Sequence, residues 1–415
     1  AALLYEKYGS ITPAEVEAIL RSSAKDLGAS GHDPQFGDGL LNAGLAVTID
    51  YHRLAGSTRY DTNKAVVSHS FTSSDVAVVI SGDDKNFSDA ICAAGLAGAY
   101  DAPVILTSPS SLSTTASDLL TELGVKRVLI VGGTGAVSAK TSSQIASLVG
   151  GKSRVTRISG STRYDTAVAV YNYVNNDSSS SGWYNPDGYR TSLYTSDFSG
   201  WKSSEGKKMA IIVSGVNFPD ALSVSSLSSF GHCPVFLTDG TSLSDSVLVA
   251  LANGNFDEVL VVGGDAAVAP SVRTVAAEYV DPADISSRDS GVDWCWQAAG
   301  ATRYETSVLV SRFDILEGMS PEAVSFTVGT GYADAASASA MRNPIVLISG
   351  NDQTDGPAYD FVGDYAGVIR EFDVLGGTSA ISTSSVEKIL GAWGDRQQSG
   401  VVTVPVASTQ ELPVK

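Results

Sequence analysis

Short, wholly apolar runs alternate with stretches of helical periodicity along most of the chain. The β-branched runs at 76–81, 104–107 and 128–131 are strand-sized, and amphipathic stretches beginning at about Asp89 and about Ser113 separate them. This is βαβα order. Strands that are apolar on every position are buried on both faces, which predicts a parallel sheet between helix layers; right-handed crossovers then give a Rossmann-like unit of about 100 residues. Ser113 and Ser138 stand where helix N-caps belong, and Asp89 falls in a first turn, where a helix dipole favours a carboxylate. Runs such as 259–262 are far shorter than the roughly 18 apolar residues of a membrane span, so no membrane insertion is expected.

The pattern repeats three times. A first block, Gly56-Ser-Thr-Arg-Tyr-Asp-Thr62, recurs as Gly160-Ser-Thr-Arg-Tyr-Asp-Thr166 and Gly300-Ala-Thr-Arg-Tyr-Glu-Thr306. A second, Asn86-Phe-Ser-Asp-Ala90, recurs as Asn217-Phe-Pro-Asp-Ala221 and Gly331-Tyr-Ala-Asp-Ala335. A third is a strand ending in Gly-Gly: Gly132–Gly133, Gly263–Gly264 and Gly376–Gly377. Asp89 and Gly132 are as far apart as Asp220 and Gly263, and the third pair is one residue closer. Equal spacing of three blocks marks one structural unit used three times. Unit two carries an insertion at about 176–206, rich in Ser, Gly, Asp and aromatics, which reads as an ordered surface excursion.

Composition narrows the function. The 415 residues are 43% hydrophobic, enough for sizeable cores, and the net charge of −18 repels phosphate backbones, so nucleic acid is an unsuitable partner. Three cysteines at unrelated spacings, Cys92, Cys233 and Cys295, offer neither a disulfide framework nor a CxxC metal site. The start of the chain has no Met, basic region or cleavage site, and reads as a fragment or processed product.

The three blocks in this order resemble the cell-wall-binding repeat type 2 family of Gram-positive surface proteins, over about residues 52–393. Unit two carries the family pattern nearly whole, at 160–166, 217–221, 234–238 and 262–264; unit three departs from it at Glu305, Gly331 and Ile348. The resemblance implies an α/β fold of three tandem Rossmann-like repeats with parallel sheets, packed as a pseudo-threefold trimer within one chain. It also implies an extracellular location at the wall or cell surface, non-covalent binding to anionic wall polysaccharide or teichoic-type polymer, and no cofactor. The units are then 52–150, 154–280 and 294–393, with a tail at 394–415. Residues 1–50 are similar instead to the end of a subtilisin-like serine protease domain, with a helix capped by Thr12 and Pro13 and the closing segment Phe36-Gly-Asp-Gly-Leu-Leu-Asn-Ala43. The catalytic Ser-His-Asp triad of that family lies upstream of this point, so this resemblance implies a remnant with no catalysis of its own.

The candidate polymer-binding residues are the repeated Arg59, Arg163 and Arg303, with Tyr60, Tyr164 and Tyr304, and the acids Asp89, Asp220 and Asp334. Guanidinium groups suit phosphate or carboxylate, and phenol or carboxylate suits sugar hydroxyls. The alternatives are structural: Arg59 pairing with Asp89, the tyrosines closing a core, the acids capping helices. No metal site is expected, because His32, His52, His69 and His232 lack ligand spacing and the cluster Asp83, Asp84, Asn86 and Asp89 lacks the calcium-loop pattern. Gly132-Gly-Thr-Gly-Ala136 is an incomplete phosphate loop, and the repeat supplies no second acid for glycoside hydrolysis.

Overall fold

The computed structural model describes residues 1–9, 11–29, 32–183, 208–279, 295–350 and 355–399. The N-terminal segment holds helices α1 (Ala2–Tyr8), α2 (Pro13–Ser22) and α3 (Ala43–Thr48) and strand β1 (Asp50–Leu54). Unit one follows with α4 (Arg59–Ser70), β2 (Val76–Ser81), α5 (Phe87–Ala99), β3 (Val104–Thr107), α6 (Thr114–Glu122), β4 (Arg127–Val131), α7 (Ala139–Leu148) and β5 (Val155–Ile158). Unit two has α8 (Arg163–Asn176), β6 (Met209–Ser214), α9 (Pro219–Leu222), α10 (Ser225–Gly231), β7 (Val235–Thr238), α11 (Asp245–Gly254), β8 (Glu258–Val262), α12 (Pro270–Glu278) and β9 (Cys295–Ala298). Unit three has α13 (Arg303–Leu316), β10 (Ala323–Val328), α14 (Tyr332–Ala338), β11 (Ile345–Ile348), α15 (Gly356–Tyr365), β12 (Glu371–Leu375) and α16 (Thr383–Ser399). The expected caps are in place: Ser113 and Ser138 accept from Ala116 N and Thr141 N, and Thr12 forms a reciprocal capping box with Glu15 ahead of Pro13.

These strands make three four-stranded parallel sheets, ordered β3-β2-β4-β5, β7-β6-β8-β9 and β11-β10-β12-β1. The inner strands are buried beyond their first residues, as their largely apolar sequence requires. The fourth strand of each sheet comes from the residues just ahead of the next unit's first block. In the third sheet β1 fills the corresponding place, pairing with β12 at Tyr51 opposite Phe372. The chain therefore closes into a ring. One side chain pins each fourth strand: Arg157 donates to the Gly132 carbonyl at 2.7 Å, Gln297 to Gly263 at 3.0 Å and Arg53 to Gly376 at 3.1 Å.

Around the ring's centre pack α5, the α9–α10 pair and α14, rich in Ala, Ser and Gly. Small residues allow backbone to approach backbone: at Gly95 a Cβ would lie 2.5 Å from the Cys233 carbonyl, and at Gly98 it would overlap the Ser229 carbonyl. The largest core runs through this seam and joins units one and two with the inner helices of unit three, while a second core joins the rest of unit three to α1–α3. There Glu15, almost wholly buried, accepts from Tyr51 Oη at 2.7 Å and Arg53 Nε at 2.6 Å, which ties α2 to β1. Among the described residues no helix is long and apolar enough to cross a membrane. The Asp281 to Asp293 linker and the tail from 400 onward fall outside the described residues, as do the insertion's Tyr184, Tyr189, Tyr194 and Trp201. Trp183 is described: it packs against Tyr171, and its indole nitrogen donates to the Tyr171 carbonyl at 3.0 Å.

Candidate functional site

The first block is a helix start. Thr58, Thr162 and Thr302 are the N-caps of α4, α8 and α13, and Asp61 and Asp165 return a bond to the cap backbone. Glu305, one methylene longer, overshoots and accepts from Ala301 N at 2.6 Å instead. Gly56, Gly160 and Gly300 lie so close to residue 61, 165 or 305 that a Cβ would overlap it. Glycine, Thr and acid in this motif are thus accounted for locally. Arginine and tyrosine are not, because their side chains leave the turn.

Each Arg occupies the first helical position and crosses to the carboxyl end of its unit's first strand. Arg59 Nη1 donates to the Gly82 carbonyl at 2.7 Å, Arg303 to Gly329 at 2.6 Å, and Arg163 to Gly215. The Tyr rings lie on these same glycines: a Cβ at Gly82 would be 2.5 Å from Tyr60 Cε1, at Gly215 3.1 Å from Tyr164, at Gly329 3.0 Å from Tyr304. The sequence reading missed these three glycines. Their signal was a Gly directly after each unit's first strand.

The second-block acids do not cap. Among the described residues none of Asp89, Asp220 and Asp334 accepts a bond from its own helix; each sits between its unit's Gly-Gly turn and the Arg of the next unit. Asp89 is 8% exposed, and burial raises its pKa to about 6 against the opposing pull of Arg163. Asp334, facing Arg59, is likewise raised by burial to about 6, and Asp220, beside Thr306 and Arg303, is raised as well. In place of the expected Arg59–Asp89 pairing, each acid faces the Arg of the next unit across the junction beyond ion-pair distance, unit one to two, two to three and three to one. Gly132 has φ +109° with its Cα against the Asp89 carboxylate, which excludes any side chain on two counts.

Three equivalent junctions result, each built from an acid and a Gly-Gly turn of one unit and an Arg of the next. All lie at the carboxyl edges of parallel sheets, where α/β folds present their ligand sites. Near the centre the second-block aromatics meet: Phe87 and Phe218 have centroids 5.7 Å apart, Arg163 lies over the Phe87 ring, and Tyr332 donates to the Ser81 carbonyl at 2.5 Å. The junctions differ in charge. Arg59 is paired with Asp84 at 2.5 Å, whereas among the described residues Arg163 and Arg303 have no carboxylate within ion-pair distance. Their remaining N–H groups are available to an anion.

Burying the acids carries a stability signature. A folded pKa above the unfolded value penalises the folded state where the group is ionised, above about pH 6, and the penalty fades as pH falls toward the unfolded value near 4. Asp89→Asn is expected to stabilise the chain by about 2–3 kcal/mol at pH 7.5, with the gain roughly halved at pH 5 and gone below about pH 4. Thermal melts of both proteins across that range check it, and a gain independent of pH would reject it.

The remaining sequence candidates separate. Asp83 caps a short turn at Lys85 N, Asp84 holds Arg59, and Asn86 donates to Ser81, so they do not converge on a cation. His52 and His69 are brought beside Glu371 and Asp373, which lie far along the chain from them, a grouping that spacing along the sequence could not reveal.

Comparison with known proteins agrees with this architecture. The family model for Cell wall binding domain 2 (CWB2) matches residues 53–142, 157–273 and 297–387. The chain is 27% identical over 338 residues to N-acetylmuramoyl-L-alanine amidase LytC of Bacillus subtilis (strain 168), covering 81% of this chain and 57% of that protein. It is 25% identical over 333 residues to the Amidase enhancer of the same organism, covering 80% and 39%. It thus spans between about two fifths and three fifths of these relatives' lengths. Among solved structures, Cwp6 from Clostridium difficile superposes with a TM-score of 0.64 at 20% identity, over 83% of this chain and 48% of that one. Cwp8 from the same organism gives 0.64 at 18%, over 84% and 52%.

Proposed function

This chain belongs to the Cell wall binding domain 2 family, and we propose on that footing that its three units anchor an exported protein to the surface of a Gram-positive bacterium. The ligand is an anionic wall polymer, a secondary polysaccharide or a teichoic-type chain, held non-covalently. The observation that carries this reading is the pair of guanidinium groups of Arg163, exposed, and Arg303, half-buried, each fixed by a backbone carbonyl and with no carboxylate within ion-pair distance among the described residues. Each presents a planar donor set to a phosphate or carboxylate, and the nearby acid and Tyr supply groups for sugar hydroxyls. Local cations of this kind offset the long-range repulsion of a chain with net charge −18.

Co-sedimentation with purified Gram-positive walls, before and after chemical stripping of their secondary polymers, tests it. Binding should vanish on stripping. The Arg163→Ala, Arg303→Ala double variant should bind at least about 10-fold more weakly, given roughly 1.5–3 kcal/mol for each hydrogen bond to a charged group. Undiminished pelleting of a folded double variant would refute the site, and pelleting on stripped walls would refute the polymer.

The chain's own role is binding and not catalysis. The capped helix at Thr12–Pro13 and the segment 36–43 support a finer reading of the parent as a wall-anchored, subtilisin-like serine endopeptidase with its triad encoded upstream. A coding sequence whose upstream part lacks a Gly-Thr-Ser-Met-Ala stretch would refute that reading and leave the anchor intact.

A further inference from the structure

We propose that His52, His69, Glu371 and Asp373 form a structural site for a divalent transition metal, zinc in the first place, which fastens the closure of the ring between β1 and unit three. One ligand atom from each residue lies within 4.8 Å of the other three. His52 Nε2 stands 3.3 Å and His69 Nε2 3.6 Å from Glu371 Oε1, close to the spacing of about 3.4 Å between neighbouring ligands on a zinc tetrahedron.

The pseudo-threefold symmetry makes this cluster informative, because the same place exists at the other two junctions and is filled differently. Asp373 lies opposite His52 in the third sheet; the matching pairs are Leu129 opposite Thr156 and Leu260 opposite Trp296. At the junction of units two and three, Trp296 meets Phe313 with centroids 6.1 Å apart, while at the closing junction His52 meets His69 at 4.6 Å. An apolar contact has been replaced by two imidazoles and two carboxylates at the one joint where the chain's first strand must be held to its last unit.

Asp373 is the second, independent observation. It sits on a central strand at 0% exposure; Oδ2 accepts from Asn343 Nδ2 at 3.0 Å, and Oδ1 has no partner. A buried carboxylate left half satisfied costs the fold several kcal/mol unless a cation completes it. Asn343 is itself oriented by Ser325, whose hydroxyl donates to its carbonyl at 2.6 Å, an outer-shell arrangement of the kind that fixes metal-binding carboxylates. With both imidazoles neutral the four groups carry two negative charges, which a divalent ion balances. Two nitrogens and two oxygens suit zinc better than calcium or magnesium, and four protein ligands make a closed, structural site. A surface cleft of about 460 Å³ reaches His69, Glu371 and Asp373 past the Arg342–Asp101 ion pair and provides the path of entry.

The test uses the whole chain, stripped with EDTA and titrated with zinc by calorimetry and with cobalt(II) by visible absorption. One equivalent of zinc should bind, the cobalt form should show the intense bands of tetrahedral coordination, and zinc should raise the melting temperature by several degrees. His69→Ala, at the outer end of α4, and the isosteric Asp373→Asn should each weaken zinc at least about 10-fold while keeping a wild-type far-ultraviolet spectrum. Melting unaffected by zinc and EDTA would overturn the proposal in favour of a plain His–carboxylate cluster. Binding that survives in both variants would overturn it too, placing the metal at another surface group.

Discussion

Replacing Gly98 by valine is expected to open the seam between units one and two and to cost more than about 3 kcal/mol of stability. At this position α5 and α10 touch backbone to backbone, and even a Cβ would overlap the Ser229 carbonyl. An overlap with the end of a flexible side chain could relax by a rotamer change, but a carbonyl within a helix can move only with its helix. Both helices belong to the core that joins the two units, so the displacement propagates to Leu96, Leu227 and the strands beneath them. Gly391→Ala is the control: a Cβ there meets nothing within 4 Å, so the exchange should be neutral or stabilising by about 0.5–1 kcal/mol. Urea unfolding of the three proteins decides the matter, and a Gly98→Val variant as stable as the control would show that the helix seam yields to the added side chain.

Glu15→Ala is expected to cost about 3–5 kcal/mol and to free the N-terminal segment from unit three. The carboxylate is 3% exposed and satisfies Arg53, Tyr51 and Thr12 together; without it a largely buried guanidinium, whose Nη2 already lacks a partner, loses its counter-charge. Arg53 is also the residue that pins β1 to the Gly376 turn, so the loss reaches the ring closure directly. Burial alone would raise the Glu15 pKa, but the bonds from Arg53, Thr12 and Tyr51 carry it below its ordinary value. A lowered pKa stabilises the folded state above the unfolded carboxylate value of about 4.3, and that contribution disappears as pH falls through the folded value. Glu15→Gln, which keeps hydrogen-bonding capacity and loses the charge, should fall between wild type and Ala. Limited proteolysis of residues 1–54 together with chemical unfolding at pH 7 reads the effect, and a loss under about 1 kcal/mol for Ala would contradict it.

Much of the architecture is legible in the chain because it is written locally. The wholly apolar runs announce buried parallel strands, Thr12, Ser113 and Ser138 announce helix starts through bonds to residues three positions on, and the threefold recurrence of the blocks announces three like units. The candidate site was legible only in its list of residues. The motif around Arg163 mixes Gly, Thr and Asp, which build the turn, with Arg and Tyr, which leave it, and nothing in the order of residues separates the two roles. Asp89 was read more readily as a cap than as a group facing Arg163, since position in a first turn is visible in sequence and the neighbouring unit is not.

What the sequence determined by itself is therefore the unit: its strands, its helix starts and its number, all consequences of periodicity and short-range hydrogen bonding. What tertiary structure alone decided is how the units engage. Three sheets with interchangeable parallel edges could each accept a fourth strand from either side, and the choice that seats β1 on β12 follows from closing a ring. That closure also sets Asp334 before Arg59 and gathers His52 and His69 around Glu371 and Asp373, groups more than three hundred residues apart. Parallel pairing is intrinsically non-local, so its partners are selected by the packing of whole units and leave no mark in the spacing of residues along the chain.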